Sequence, residues 1–549
     1  MNASILLLAS MAILWVAYHT WGAFVARRLR IDPTNKVPSH EFRDGIDFEP
    51  SRRSMVLGHH FASIAGAGPI VGPIVAVAFG WLPALLWILI GAIFLGAVHD
   101  FTALVASLRH QGRSVGDLIE DYVGKRAKRL FLIFALATLV LIIAVFTDVV
   151  VQTFLSAPSV ATSNGLFIVT AIVMGLMSYR LNIPHAIATA IGIVMIFAII
   201  AGGYFLPVSL SELSIAGLTL SPYMLWVTII MVYIGIAAVT PIWLLMQPRD
   251  YLNSFLLYAM ILAAIAGIFA SQPAIQADAF TGFHVEGVGR MFPLLFVTVA
   301  CGAISGFHSL VASGTTSKQL DSEKDAQFIG YGAMMIEAVL AVVALIAAAA
   351  MTTGDYFEMR ENPIGIFAQS IANFLVIFGI PAELNVVFIA LTISAFALTT
   401  LDTCARLARF TLQELFDNAE TPKEEKSPLA TNRYLATGVV VVLGGAFCFS
   451  GKSTEVWPVF GAANQLLAAV ALLSVATWMA KKEIKNLFVV IPMFVMYAVT
   501  VAALGELIWA NTIGGFNFAL AGVSTALLLL SLELLRQAVF VLFPKNARA

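Results

Sequence analysis

The stretch 57–73, LGHHFASIAGAGPIVGP, sets two adjacent histidines, four glycines and two prolines inside otherwise membrane-grade apolar sequence. Bare backbone in hydrocarbon is costly, because no water satisfies free N–H and C=O groups. A broken helix survives there only where protein or a watery cavity receives those groups. Gly/Pro-interrupted spans therefore point to the ion and substrate sites of transporters.

Composition fixes the class. The 549 residues are 60% hydrophobic and 11% charged, with a mean hydropathy of +0.91, whereas soluble domains carry about a quarter charged residues. The chain reads as a single all-α polytopic membrane domain in contact with lipid. A net charge of −1 argues against a nucleic-acid partner. Cys301, Cys404 and Cys448 lie in apolar runs and read as small buried hydrophobes. Residues 3–18 lack a basic leader before them and are followed by Arg27, Arg28 and Arg30, the pattern of a retained first span.

Spanning runs fall at about 4–25, 58–79, 82–108, 130–155, 165–180, 184–206, 222–246, 251–271, 291–313, 327–353, 384–412, 433–450, 456–479, 488–509 and 516–543. A further short run, 363–380, lies between Pro363 and Pro381. Basic clusters at 27–53, 109–129, 423–433 and 481–485 mark the cytoplasmic side, with the N-terminus outside and the C-terminus inside. The alternation closes only if 363–380 enters and leaves on the outer side, as a re-entrant lid.

A second broken-helix candidate is CGAISGFHSLVASGTTSKQL, 301–320. On this topology it runs opposite to 58–79, as an inverted repeat requires. The reading is a first span and loop (1–56), a first repeat (57–206), an inserted pair (222–271), a second repeat (291–479) and C-terminal helices (488–543). That order resembles the five-plus-five inverted-repeat, LeuT-like transporter fold.

The segments GHHFASIAGAGPIVGPI (58–74), GAVHDFTALVASLRHQGRSVGDLI (96–119), LLMQPRDYLNSFL (244–256), ACGAISGFHSLVASGTTSKQL (300–320), TTLDTCARLARFTLQEL (399–415) and WPVFGAANQLLA (457–468) resemble the carbon-starvation protein A family. The resemblance implies a bacterial inner-membrane uptake symporter for short peptides or pyruvate, distantly akin to amino acid–polyamine–organocation carriers. It implies no catalytic residues and no cofactor beyond a coupling H⁺ or Na⁺.

Each motif has a functional and a plainer reading. Ser63, Ala65, Gly66 and Gly68 read as an unwound substrate-binding segment, or as a small-residue packing face. Freed N–H groups would suit a carboxylate and freed carbonyls a cation. His59 and His60 read as a proton-coupling or gating element at the cytoplasmic mouth, or as an interfacial pair, solvated or hydrogen-bonded. Ser305, Gly306, His308, Ser309 and Ser313 read as substrate contacts on the second broken span, although Ser and Thr in membrane helices often bond their own i−4 carbonyl. Thr399, Thr400 and Asp402 offer hard oxygens for Na⁺ or a proton site, with Thr399 and Thr400 the possible Na⁺ ligands. Alternatively Asp402 and Arg406, four apart on one face, neutralise each other.

Asp100 is the preferred ion-coupling candidate among the in-span polar residues His99, Asp100, Asp148 and Glu337, which otherwise read as interhelical contacts. Asn464 and Gln465 read as cavity lining or as interhelical hydrogen bonds. Residues 444–454 fail the phosphate-loop spacing at Ala446, Gly66 and Gly68 lack the dinucleotide spacing, and H-E-x-x-H is absent. A secondary carrier is the leading reading; the alternative is a channel or a starvation nutrient sensor with little flux.

Overall fold

The computed structural model describes residues 2–45, 47–181, 183–215, 218–417, 426–449, 457–514 and 517–542. Lys423 of the third basic cluster and the Gly451–Lys452–Ser453 end of the rejected phosphate-loop string lie outside them. Among the described residues, twelve helices are long and apolar enough to cross a membrane, and one bent pair adds a thirteenth span.

In chain order these helices are α1 (Ala3–Leu29), the bent pair α2 (Arg53–Ile64) and α3 (Gly68–Phe79), α4 (Trp81–Arg109), α5 (Lys125–Ser156), α6 (Pro158–Tyr179) and α7 (Ala186–Phe205). Next come α8 (Pro222–Val239) and α9 (Met246–Ser271), the short α10 (Met291–Thr298) and α11 (Gly306–Gly314), and α12 (Glu323–Ala349). The short apolar α13 (Pro363–Phe378) precedes α14 (Leu384–Phe416), α15 (Arg433–Phe449), α16 (Trp457–Lys481), α17 (Leu487–Ile513) and α18 (Leu520–Gln537). Two small hairpins, Leu213–Ile215 with Leu218–Leu220 and His284–Val285 with Gly289–Arg290, decorate the loops.

The innermost layer is α16, whose apolar window is entirely buried, followed by α12, α5 and α14. α5 and α14 pack along one another, and α3 lies against α12 as α11 lies against α4. The pair at 222–271, set apart by sequence, packs within the bundle: α9 against α2 and α14, and α8 against α15, α14 and α5. Its string Gln247–Pro248–Arg249–Asp250 looks like a loop, but it forms the first turn of α9 and is buried. By contrast α7 packs mainly on α6, and its Val194 and Phe197 are 67% and 70% exposed, as a lipid-facing edge requires.

Both expected breaks are present. α2 and α3 meet at 45°, and 299–305 separates α10 from α11. Each first half ends in the same backbone conformation: Ala65 at φ −76°, ψ 54° and Val299 at φ −85°, ψ 62°, close to an inverse γ-turn. Pro69 sits in the first turn of α3, where its missing N–H forfeits no helical bond.

Candidate functional site

The two breaks are held by polar side chains from neighbouring helices. Across the first, Thr400 Oγ1 lies 3.1 Å from the Ser63 carbonyl, and Ser63 Oγ lies 3.1 Å from Thr403 Oγ1. Across the second, Asn464 Oδ1 accepts the Phe307 N–H at 2.9 Å and the Ser305 hydroxyl faces the same amide. Asn464 thus caps α11 from outside, where a helix start leaves orphan donors. Gln465 Nε2 donates to the Phe296 carbonyl at 2.6 Å. Both amides occupy the interhelical hydrogen-bonding role.

The spans touch where they are smallest. A Cβ on Gly68 would stand 2.4 Å from Cys301 Sγ, and one on Gly66 would stand 2.4 Å from the Phe146 ring. Gly306 lies against the backbone of α16, 2.3 Å from the Asn464 carbonyl by the same measure. Ser63, Ala65, Ser305, His308, Ser309, Ser313, Asn464 and Gln465 are all buried. In this arrangement the small residues bring backbones into contact, and the centre is closed.

The 399–403 string divides. Thr399 Oγ1 donates to the Ala395 carbonyl at 3.0 Å and accepts from Asn253 Nδ2 at 3.0 Å. Asp402 does not pair with Arg406. It pairs with Arg249 of α9 and accepts the Tyr233 hydroxyl at 2.6 Å. Arg406 instead reaches Asp47 at 3.2 Å and the carbonyls of Ala237 and Thr240. Asp402 meets Arg249 and Tyr233 through Oδ2, while Thr399 and Thr400 give their hydroxyl hydrogens to carbonyls and keep oxygen lone pairs. Among the described residues, no group of three or more His, Cys, Asp or Glu side chains could hold a metal ion.

His59 and His60 lie in the last turns of α2 and are fully buried, hydrogen-bonded and not solvated. His59 Nδ1 faces Asp250 Oδ2 at 2.5 Å, and His60 Nδ1 meets Thr316 Oγ1 at 2.8 Å. His60 therefore bridges the two broken spans. Arg249 and Asp250, absent from the sequence candidates, complete this side; their signal was a charged string between two apolar runs.

On the other side, Asp100 is held by two imidazoles, His99 Nδ1 at 2.7 Å and His308 Nδ1 at 2.9 Å. The far nitrogen of His308 faces Glu337 Oε2 at 3.6 Å. All four side chains are buried. A cavity of about 720 Å³ leads inward from the face carrying Arg113, Lys125 and Arg129 to Leu310, Ser313 and Gly314 of α11. In it Lys318 lies 5.2 and 4.9 Å from the Phe48 and Phe410 rings, and burial pulls its ammonium below the ordinary lysine range. Of the sequence-picked substrate residues only Ser313 meets this cavity.

The sequence matches the family described as Carbon starvation protein CstA over residues 2–366 and 359–503. The chain belongs to that family. The peptide transporter CstA of Bacillus subtilis (strain 168) is 33% identical over 90% of this chain and 89% of its own length. Escherichia coli (strain K12) has two such relatives: its peptide transporter CstA, 34% identical over 88% of this chain and 77% of its own length, and its pyruvate/proton symporter BtsT, 32% identical over 85% and 76%. In fold, this CstA-family chain is similar to a mutant of the Eremococcus coleocola manganese transporter. The TM-score is 0.51 with 11% identity, covering 91% of this chain and 98% of that one.

Proposed function

We propose that the protein is a secondary active uptake carrier of the inner membrane that couples proton entry to import of a small carboxylate-bearing nutrient, a short peptide or pyruvate. Membership of a family whose relatives are named as transporters sets the class. The observation that carries the mechanism is the pair of broken spans with like-shaped breaks and buried polar contacts at both. A buried centre, with a cavity that enters from one face and ends at Leu310 and Ser313, fits alternating access better than a continuous pore.

We read the core as an inverted five-plus-five repeat, with repeats α2–α5 plus α8–α9 and α10–α12 plus α14–α16. The helix hairpin α6–α7 is then the insertion, in place of 222–271. Packing supports this: third pairs with third (α5 with α14) and fourth with fourth (α8 with α15). Each second span lies on the opposite broken span (α4 on α11, α12 on α3), and each fifth on its own (α9 on α2, α16 on α11). α13 keeps the lid position, and the basic face is cytoplasmic.

On this reading the backbone at Ser63–Gly68 and Ser305–Ser309 receives the substrate when the spans part. Asp100, with its two imidazoles, belongs to the coupling machinery together with Thr399 and Thr400, and Thr400 and Thr403 hold the first break. The proton is favoured over sodium by the relative named as a pyruvate/proton symporter. Saturable counterflow tests the class: proteoliposomes preloaded with unlabelled pyruvate or dipeptide should accumulate the labelled compound transiently. Linear, non-saturable flux would refute a carrier.

A further inference from the structure

Glu337 stands in the middle of α12, fully buried, with neither carboxyl oxygen hydrogen-bonded among the described residues. An ionised carboxylate without donors in a dry interior is costly, by several kcal/mol as an order of magnitude. His308 Nε2 lies 3.6 Å from its Oε2 and also has no hydrogen-bond partner among the described residues. Asp100 is different: each of its oxygens meets an imidazole nitrogen, His99 Nδ1 and His308 Nδ1, and with Asp100 ionised both nitrogens donate, since a carboxylate accepts only. That fixes the His308 tautomer and leaves Nε2 turned towards Glu337.

We propose that Glu337, facing His308 across the α11–α12 contact, carries the coupling proton. This rests on the proton-coupled carrier reading above and assigns it a site. The facing pair holds one proton, either as carboxylic acid opposite imidazole or as carboxylate opposite imidazolium. Release transfers that proton to water and breaks no other bond. Without it, a lone pair faces a carboxylate and a second carboxylate stands near Asp100, which opposes closure. His308 rides on the half-helix α11 while Glu337 sits on α12, so movement of α11 during opening parts the pair and admits water. Proton occupancy and closure are thereby linked.

Other titratable groups surround the pair, beginning with the Cys301 thiol, which interacts with His308. From α4 come His99 and Asp100; from α2 come His60, bonded to Thr316, and His59, bonded to Asp250. Tyr331, one turn and a half before Glu337, donates its hydroxyl to the Ile93 carbonyl. The other helices packed on α12, namely α3, the first halves of α1 and α4, and α13, contribute no acidic or basic side chain along their packed lengths. α9 brings Arg249 and Asp250, which are engaged by Asp402 and His59.

The test compares wild type with Glu337→Gln, an isostere of the protonated acid, in proteoliposomes and by infrared spectroscopy. An inward proton gradient alone should drive pyruvate or dipeptide accumulation in wild type, and Glu337→Gln should lose at least tenfold of it while substrate exchange continues. A pH-jump infrared difference spectrum of purified wild type should contain a carboxylic-acid C=O band that Glu337→Gln removes. Wild-type accumulation by the variant, or a band unchanged by the substitution, would overturn the assignment. If wild type itself accumulates neither substrate under the gradient, the carrier reading fails, and the infrared band judges Glu337 independently.

Discussion

Gly68→Ala tests the closed contact between the broken spans. The added Cβ would stand 2.4 Å from Cys301 Sγ and 2.8 Å from Cys301 Cβ, well inside the 3.4 Å at which ordinary contact begins. The spans must part locally by about 1 Å, and overpacking of this kind costs about 1–3 kcal/mol. Because the overlap exists only when the spans close, that cost falls on the closed arrangement, cutting its population by about 5–150-fold. Counterflow, which passes through the closed state in every cycle, should slow by a comparable factor while the protein still inserts and purifies. Cys301→Ala removes the nearer atom, so Gly68→Ala/Cys301→Ala should recover part of the rate, giving a coupling free energy in a double-mutant cycle. Counterflow at the wild-type rate in Gly68→Ala would refute the reasoning. So would a loss that Cys301→Ala leaves untouched, which would place Gly68 against substrate instead.

Three further outcomes are expected. Asp402→Asn strands the buried Arg249 guanidinium and should destabilise the protein by about 3–5 kcal/mol; Arg249→Met/Asp402→Leu should restore most of the melting temperature in detergent, and an unchanged melt for Asp402→Asn would count against the pair. Asn464→Ala removes the cap on Phe307 and should cost about 0.5–2 kcal/mol with slowed counterflow, whereas Asn464→Asp keeps the acceptor and more of both; equality of Asn464→Ala with wild type would show that the break is held by other groups. Gln413→Cys, partly exposed in the wall of the 720 Å³ cavity, should react with a membrane-impermeant thiol reagent applied to the basic face, while the buried Ser63→Cys should stay protected without substrate; the reverse order would contradict the closed state.

Much of the architecture was legible because hydrocarbon leaves few choices for backbone. Apolar runs located the spans, and Gly/Pro strings located both breaks, since an exposed backbone needs a protein partner. Which spans form the core was harder to read. Gln247–Arg249–Asp250 resembles a loop because charge normally marks the membrane edge, yet its partners His59 and Asp402 lie 191 and 153 residues away. The same distance problem hid the histidine cluster: His308 looked like a substrate contact, Asp100 like a lone ion-coupling residue, and His99 and Glu337 like separate interhelical contacts. Their meeting depends on α4, α11 and α12 converging. Asp402 and Arg406 illustrate the opposite error, in which local spacing suggests a pair but longer reach finds better partners for each.

The central claim is that closure of the two broken spans is driven by a proton. The most direct measurement is uptake of labelled pyruvate and dipeptide into proteoliposomes with a proton gradient or a sodium gradient imposed alone. The account predicts saturable, concentrative uptake of at least one substrate under the proton gradient and only equilibration under the sodium gradient. Concentrative uptake driven by sodium alone, with the proton gradient inert, would contradict it.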